Sequence, residues 1–308
     1  VHLRAVRAFF FVRRPFKPIM RDYFSLVTFS HTIFALPFAL LGFTLAVIQP
    51  DYAFEWTDLL LVIGCMVFAR SAAMGFNRLV DRNIDAANER TATRDIPAGR
   101  ISPMRAKVFI AINAVLFIVC AGLLNTLCLV LSPLALAIVL GYSYTKRFTW
   151  LCHLVLGLGL ALAPIGAYIA ITGVFDVLPI IYGVIVLLWV AGFDIIYALQ
   201  DEAFDREQKL NSIPTRFGGS SALRLSRLLH LCCILLLSYV SWTLYNQYPA
   251  AWMPILLSWA LFAGALVYQQ SIVSEADLSR VGRAFFTTNG VASIAYASLV
   301  IGGILLLS

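Results

Sequence analysis

The sequence predicts an all-α integral membrane protein, with nine transmembrane helices around a central cavity and cytoplasmic cap loops. Three observations carry that prediction. Of the 308 residues, 61% are hydrophobic and only 13% charged, with a mean hydropathy of +0.86; no soluble domain could bury so much apolar surface, so lipid must be the solvent. Apolar runs of membrane-spanning length recur along the chain, separated by short polar stretches. Finally, of the 23 Lys and Arg residues, every one but Arg70 lies in the N-terminal segment or in alternate interhelical loops, the charge asymmetry that orients a membrane bundle.

Residues 1–23 are basic around a short apolar FFFV core. That core is too short for a secretory signal and suits a helix lying on an anionic membrane surface. Residues 24–308 make up the transmembrane domain. The first span, 24–49, is free of formal charge; Pro37 is placed to kink it, and His31 is either a core histidine or part of the cavity wall. After an acidic loop at 51–58, the second span runs from 59 to 77 and opens into a polar stretch. No charge occurs between 108 and 145, a length that holds two helices with a break near Asn125 and Thr126. The fifth span, 151–172, carries Gly157, Gly159, Pro164 and Gly166, residues that permit close approach or bending and so shape the cavity. The sixth covers 178–199, and YNQYP at 245–249 divides the uncharged run 228–274 into the seventh and eighth. The ninth begins near 284, and the cap loops fall at about 77–107 and 201–227. Charge placement then puts the N-terminus and both cap loops on the cytoplasmic side of the inner membrane and the C-terminus on the other.

The same placement disposes of two other classes. A net charge of +7 belongs to cytoplasmic loops beside lipid, so no nucleic-acid partner is expected, and no obligate protein partner is evident. Six cysteines sit almost entirely in apolar runs without CxxC spacing, which reads as small buried hydrophobes.

Chemistry is concentrated at two helix mouths. Asn77, Asp81 and Asp85 fall at i, i+4 and i+8 at the end of the second span, so on a helix they share one face. Asp194, Tyr197, Asp201 and Asp205 do the same at the end of the sixth. These spans point the same way, and each is followed by an Ile-Pro near an arginine, RDIPAGR at 94–100 and NSIPTR at 211–216. That pairing suggests a parallel internal repeat bringing the clusters face to face across the cavity. Oxygen-only clusters of this kind suit Mg²⁺, which commonly bridges carboxylates to a bound polyphosphate. The competing account is a set of solvated acids paired with Arg78, Arg82, Arg90 and Arg206. Lys146 and Arg147, with Tyr142 one turn earlier, are either phosphate ligands or positive membrane anchors. Arg70 lies seven residues before Asn77 on the same face; at that depth it needs an anion, either a planar carboxylate of a substrate or an Asp of its own bundle.

The pattern resembles the UbiA superfamily of intramembrane prenyltransferases. The resemblance rests on a first motif close to NDxxDxxxD at 77–85, DxxYxxxDxxxD at 194–205 and YxxxKR at 142–147. FSHTIFALPFALLG at 29–42 is similar to the first helix of the branch that prenylates aromatic acids for quinone synthesis, the 4-hydroxybenzoate polyprenyltransferases. Departures are Arg78 at the second position of the first motif, Asp95 in place of a common proline, and Cys152-His153 in place of a common Pro-Gln. A related branch acting on a hydroxynaphthoate in menaquinone synthesis has similar features. The resemblance implies Mg²⁺ held by Asn77, Asp81, Asp85, Asp194, Asp201 and Asp205, and a polyprenyl diphosphate bound by Asn77, Tyr142, Lys146, Arg147 and Tyr197. It further implies a small aromatic acid on Arg70, with Asp194 as base and Lys146 stabilising the leaving diphosphate. A transporter is the alternative from another class; it would place carboxylates near the bilayer midplane rather than at helix mouths.

Overall fold

The computed structural model describes residues 32–307, which fold into α-helices joined by turns. In chain order these are α1 (Thr32–Val47), α2 (Trp56–Val80), the short α3 (Arg82–Ala87), α4 (Pro103–Leu124), α5 (Thr126–Thr145) and α6 (Cys152–Thr172). They continue with α7 (Val177–Ala198), the short α8 (Glu202–Glu207) and α9 (Ile213–Phe217), then α10 (Gly219–Gln247), α11 (Trp252–Ser271) and α12 (Asn289–Leu307). Among the described residues, eight helical segments, α2, α4–α7 and α10–α12, are long and apolar enough to cross a membrane. Helix α1 is the described part of the first expected span. The basic segment 1–23 and His31 lie outside the described residues.

Lipid explains this monotony: a spanning segment must satisfy its backbone internally, so each apolar run becomes a helix and each polar break a turn. Asn125 shows how a single residue makes such a break. Its backbone is extended, its Oδ1 accepts the Cys128 N–H at 2.9 Å, and its Nδ2 donates to the carbonyls of Ile169 and Ala170. It therefore ends α4, caps α5 and ties both to α6. Ser102, Asp176 and Ser212 cap α4, α7 and α9 in the same way.

Packing divides the bundle into a solid side and a hollow one. Helix α1 packs along α6 and α12, and α6 packs most extensively along α7. Between α1, α7, α11 and α12, Phe38, Tyr182, Trp189, Phe262 and Tyr296 form an aromatic core that is fully buried. Its polar atoms are internally matched, as lipid requires: the Tyr182 and Tyr296 hydroxyls are 2.9 Å apart, and Trp189 Nε1 donates to Asn289 Oδ1 at 2.8 Å. Gly157 allows the α6–α7 contact, since a Cβ there would stand 2.5 Å from the Leu187 carbonyl oxygen. On the other side α1, α2, α4, α5 and α6 enclose an apolar cavity of about 320 Å³, with Gly159 and Gly166 on its wall.

Two corrections concern the expected stripes. Helix α2 stops at Val80, Asp81 adopts φ −87° and ψ 4°, and α3 begins afresh at Arg82, so Asn77, Asp81 and Asp85 do not share one unbroken helix. The main-chain bonds from Asp81 to Asn77 and from Asp85 to Asp81 nonetheless survive, at 2.9 and 2.7 Å. Likewise α7 tightens into a 3₁₀ turn at Leu199–Asp201 before α8, interrupting the second stripe. In both cases polar groups at a helix mouth find partners outside the helix and release it from its regular course.

Candidate functional site

The mouths of α2 and α7 hold five carboxylates of the two motifs, and each is paired with a cationic or imidazole side chain. Arg147 Nη2 reaches Asp81 Oδ1 at 2.8 Å, and Arg94 Nη1 reaches Asp85 Oδ1 at 2.6 Å. Lys146 Nζ lies 2.9 Å from Asp205 Oδ2, and Arg90 Nη2 lies 2.6 Å from Asp201 Oδ2. His153 Nδ1 is 2.7 Å from Asp194 Oδ2. Lys146 and Arg147, adjacent at the end of α5, thus hold one acid of each cluster and bring the two motifs to one place. Arg90 adds a second link, because the loop after α3 carries it across to Asp201 and to the Tyr197 hydroxyl, 3.0 Å away.

The Ile-Pro loops anchor this arrangement. Ile96 is buried with Leu79, Ile101, Ala106 and Ile110, and Ile213 with Ile195, Ile196 and Leu199. Each loop therefore plugs an apolar residue beside its own acidic motif, and the first thereby holds Arg94 on Asp85. Burial pushes the Asp81 carboxyl above the usual carboxylate range, an effect that the Arg147 hydrogen bond opposes. Burial would lower the Lys146 ammonium, but Asp205 beside it holds it above its ordinary value.

Other expected residues occupy specific positions. Asn77 Nδ2 donates to Asp81 Oδ2 at 2.9 Å, orienting that carboxylate. Arg70 lies deeper, on the wall of the apolar cavity together with Tyr142. Its Nε is buried without a hydrogen-bond partner, and no carboxylate among the described residues forms an ion pair with it. Tyr142 lines that wall one turn of α5 before Lys146, which Asp205 holds, so it stands where the cavity meets the acidic mouth. Of the arginines offered as simple partners for the acids, Arg90 does pair with a motif residue, whereas Arg206 pairs with Glu202 and Arg82 donates to the Leu79 carbonyl.

Sequence reasoning missed His153 as a site residue. It is 1% exposed, and its Nε2 accepts the Ile213 N–H at 3.3 Å. A backbone N–H only donates, so Nε2 carries the lone pair and the Nδ1 proton faces Asp194. Its sequence signal was a polar residue at the start of an otherwise apolar helix, which demands a partner. Also missed was Phe285, delivered by a π-helical segment (Arg283–Thr288) ahead of α12. Its ring lies 4.2 Å from that of Tyr197 and also meets Phe34 and Phe193.

The sequence pattern of the UbiA prenyltransferase family matches residues 35–291. A protein named 4-hydroxybenzoate octaprenyltransferase from Tolumonas auensis is 31% identical over 79% of this chain and 84% of its own length. One of the same name from Aeromonas hydrophila is 30% identical over 80% and 83%. Among solved structures, an apo UbiA homolog from Aeropyrum pernix has a TM-score of 0.75 at 35% identity, covering 90% of this chain and 97% of that one. A UbiA homolog from Archaeoglobus fulgidus bound to DMAPP and Mg²⁺ has a TM-score of 0.71 at 22% identity, covering 93% and 100%, and shares the fold.

Proposed function

The chain belongs to the UbiA prenyltransferase family, and from that premise we propose that it transfers a polyprenyl group from a polyprenyl diphosphate to an aromatic acid of the 4-hydroxybenzoate type in quinone biosynthesis. The observation that carries this reading is Arg70: a buried guanidinium with an unpartnered Nε on the wall of an apolar cavity that adjoins a mouth of five carboxylates. A cation in that setting is costly unless an anion completes it, and a benzoate carboxylate fits its planar fork. The bilayer supplies the prenyl donor, whose apolar chain suits the cavity. Charge placement supports a mouth and N-terminus on the cytoplasmic side of the inner membrane.

Of the six expected ligands, Asp194 is engaged instead by His153; Asn77, Asp81, Asp85, Asp201 and Asp205 are the residues that would hold Mg²⁺. Their donors are all oxygen, and Asp85 Oδ2 is buried without a partner. Among the described residues no three His, Cys, Asp or Glu side chains form a ready-made metal cage, which fits a cation that binds through one or two carboxylates plus substrate phosphates. When bound, the metal supplies charge neutralisation for the leaving diphosphate. Lys146 and Arg147, now held by Asp205 and Asp81, can turn to the phosphate oxygens as those carboxylates change partners, with Tyr142 and Tyr197 flanking them. As the allylic C–O bond breaks, the diphosphate leaves with the electron pair. The ring carbon beside the phenol hydroxyl then bonds to the allylic carbon. Asp194, its other oxygen bound by His153, takes the phenol proton; the proton on the newly bonded ring carbon then passes to the phenolate oxygen, which restores the aromatic phenol and leaves one proton on Asp194.

The test is prenyl transfer by the purified protein to 4-hydroxybenzoate, a hydroxynaphthoate and 4-hydroxybenzamide, each with Mg²⁺ and with EDTA. Product from the benzoate with metal, and little from the benzamide, supports the assignment. Preference for the naphthoate would move the protein to menaquinone synthesis, and equal use of the benzamide would remove Arg70 as the carboxylate ligand.

A further inference from the structure

A second cavity, of about 750 Å³, lies where α3 meets the ends of α2, α4 and α5. Arg82, Lys107 and Arg147 line it, no acidic side chain does, and Phe76, Ile110 and Tyr144 supply apolar walls. The Phe76 and Tyr144 rings meet edge to face at 5.7 Å, and the Arg147 guanidinium sits 5.5 Å over Tyr144. Val80, Pro103 and Thr145, the helix ends around it, mark one membrane face, so the cations stand at headgroup level. Below them Val108, Ile112 and Val115 expose an apolar side of α4. Lys107 has no hydrogen-bond or ion-pair partner among the described residues.

We propose that this groove binds an anionic phospholipid of the surrounding leaflet, its phosphodiester on Arg82 and Lys107 and an acyl chain against Phe76 and Ile110. Charge complementarity selects this occupant: basic pockets beside spanning helices attract anionic headgroups. A prenyl diphosphate carried with its metal needs carboxylate oxygens, and the groove has none. Arg147 lines the groove and also binds Asp81, so the lipid borders the reaction site without entering it.

The experiment reconstitutes the full chain in bilayers containing a photoactivatable phosphatidylglycerol, or phosphatidylcholine with the same photoreactive chain, and maps the labelled peptides. Phosphatidylglycerol is expected to label residues 76–84 and 107–111 in clear excess over phosphatidylcholine. Each cation lost should cost about fivefold, so Arg82→Gln with Lys107→Gln lowers that labelling roughly 25-fold. Prenyl transfer by the double variant in phosphatidylcholine bilayers stays at the wild-type level, which shows it is folded. Ala111→Trp, which fills the groove without altering charge, should also reduce labelling. Equal labelling by the two lipids, or unchanged labelling in the double variant, would overturn the proposal. So would displacement of phosphatidylglycerol by inorganic phosphate or by polyprenyl diphosphate at matched ionic strength.

Discussion

Arg70, Asp81 and His153 each make a separable prediction. A charge-assisted hydrogen bond contributes about 1.5–3 kcal/mol, so Arg70→Gln should raise the KM for the aromatic acid roughly 10- to 100-fold while leaving that for the prenyl diphosphate nearly unchanged. Steady-state kinetics with each substrate varied will separate the two; equal effects would place Arg70 in the scaffold. Asp81 is pushed up by burial and held down in part by Arg147. Removing that cation in Arg147→Gln raises the Asp81 carboxyl further, so protonation sets in at higher pH. The acid limb of kcat/KM should move to higher pH in the variant, and a limb that stays in place contradicts the pairing. His153→Ala frees the Asp194 carboxylate and should lower kcat about tenfold or more with little change in the KM for the diphosphate; unchanged kcat would mean that Asp194 needs no positioning. Arg70 and the acids were legible because charges in an apolar chain have few explanations. His153 was not, since its two partners, Asp194 and the Ile213 N–H, are remote in sequence and only packing unites them.

Element boundaries followed local chemistry closely. Asn125, the polar break in an uncharged run, does end one helix and cap the next, and YNQYP does separate α10 from α11. Where periodicity alone was extended past a helix mouth it failed: Asp81 interrupts the first stripe and the 3₁₀ turn at Leu199–Asp201 the second. Beyond the apolar run, a carboxylate bound to an arginine of another segment governs the backbone more than helical regularity does. Gly157 illustrates the reverse, a local residue whose reason is tertiary. Because a Cβ there meets the Leu187 carbonyl at 2.5 Å, even Gly157→Ala must push α6 from α7. A lowered thermal unfolding midpoint in detergent is expected, by an amount corresponding to about 1–3 kcal/mol; wild-type stability would contradict the close packing.

For the molecule as a whole, the membrane class was legible in composition and the convergence of the two motifs in their matched direction. The hollow side was legible only as an expected cavity, with Gly159 and Gly166 on its wall. Its wall takes residues from Ala35 to Phe175 across five helices, and no local pattern tells a cavity wall from a packed interface. The charge arrangement was half legible: acids and bases lay near one another in sequence, but their pairing, with α5 supplying one cation to each cluster, depends on three-dimensional placement. That placement joins the two acidic motifs at one mouth, the proposed diphosphate site. The most direct measurement is single-turnover prenyl transfer by Asp81→Asn with Asp201→Asn, one change in each cluster, alongside wild type at saturating Mg²⁺ and both substrates. With folding verified by unaltered detergent stability, transfer should fall by at least about a thousandfold, the scale on which removing transition-state charge stabilisation acts. Transfer at the wild-type rate would contradict the account, because the two acidic clusters would then have no part in the chemistry.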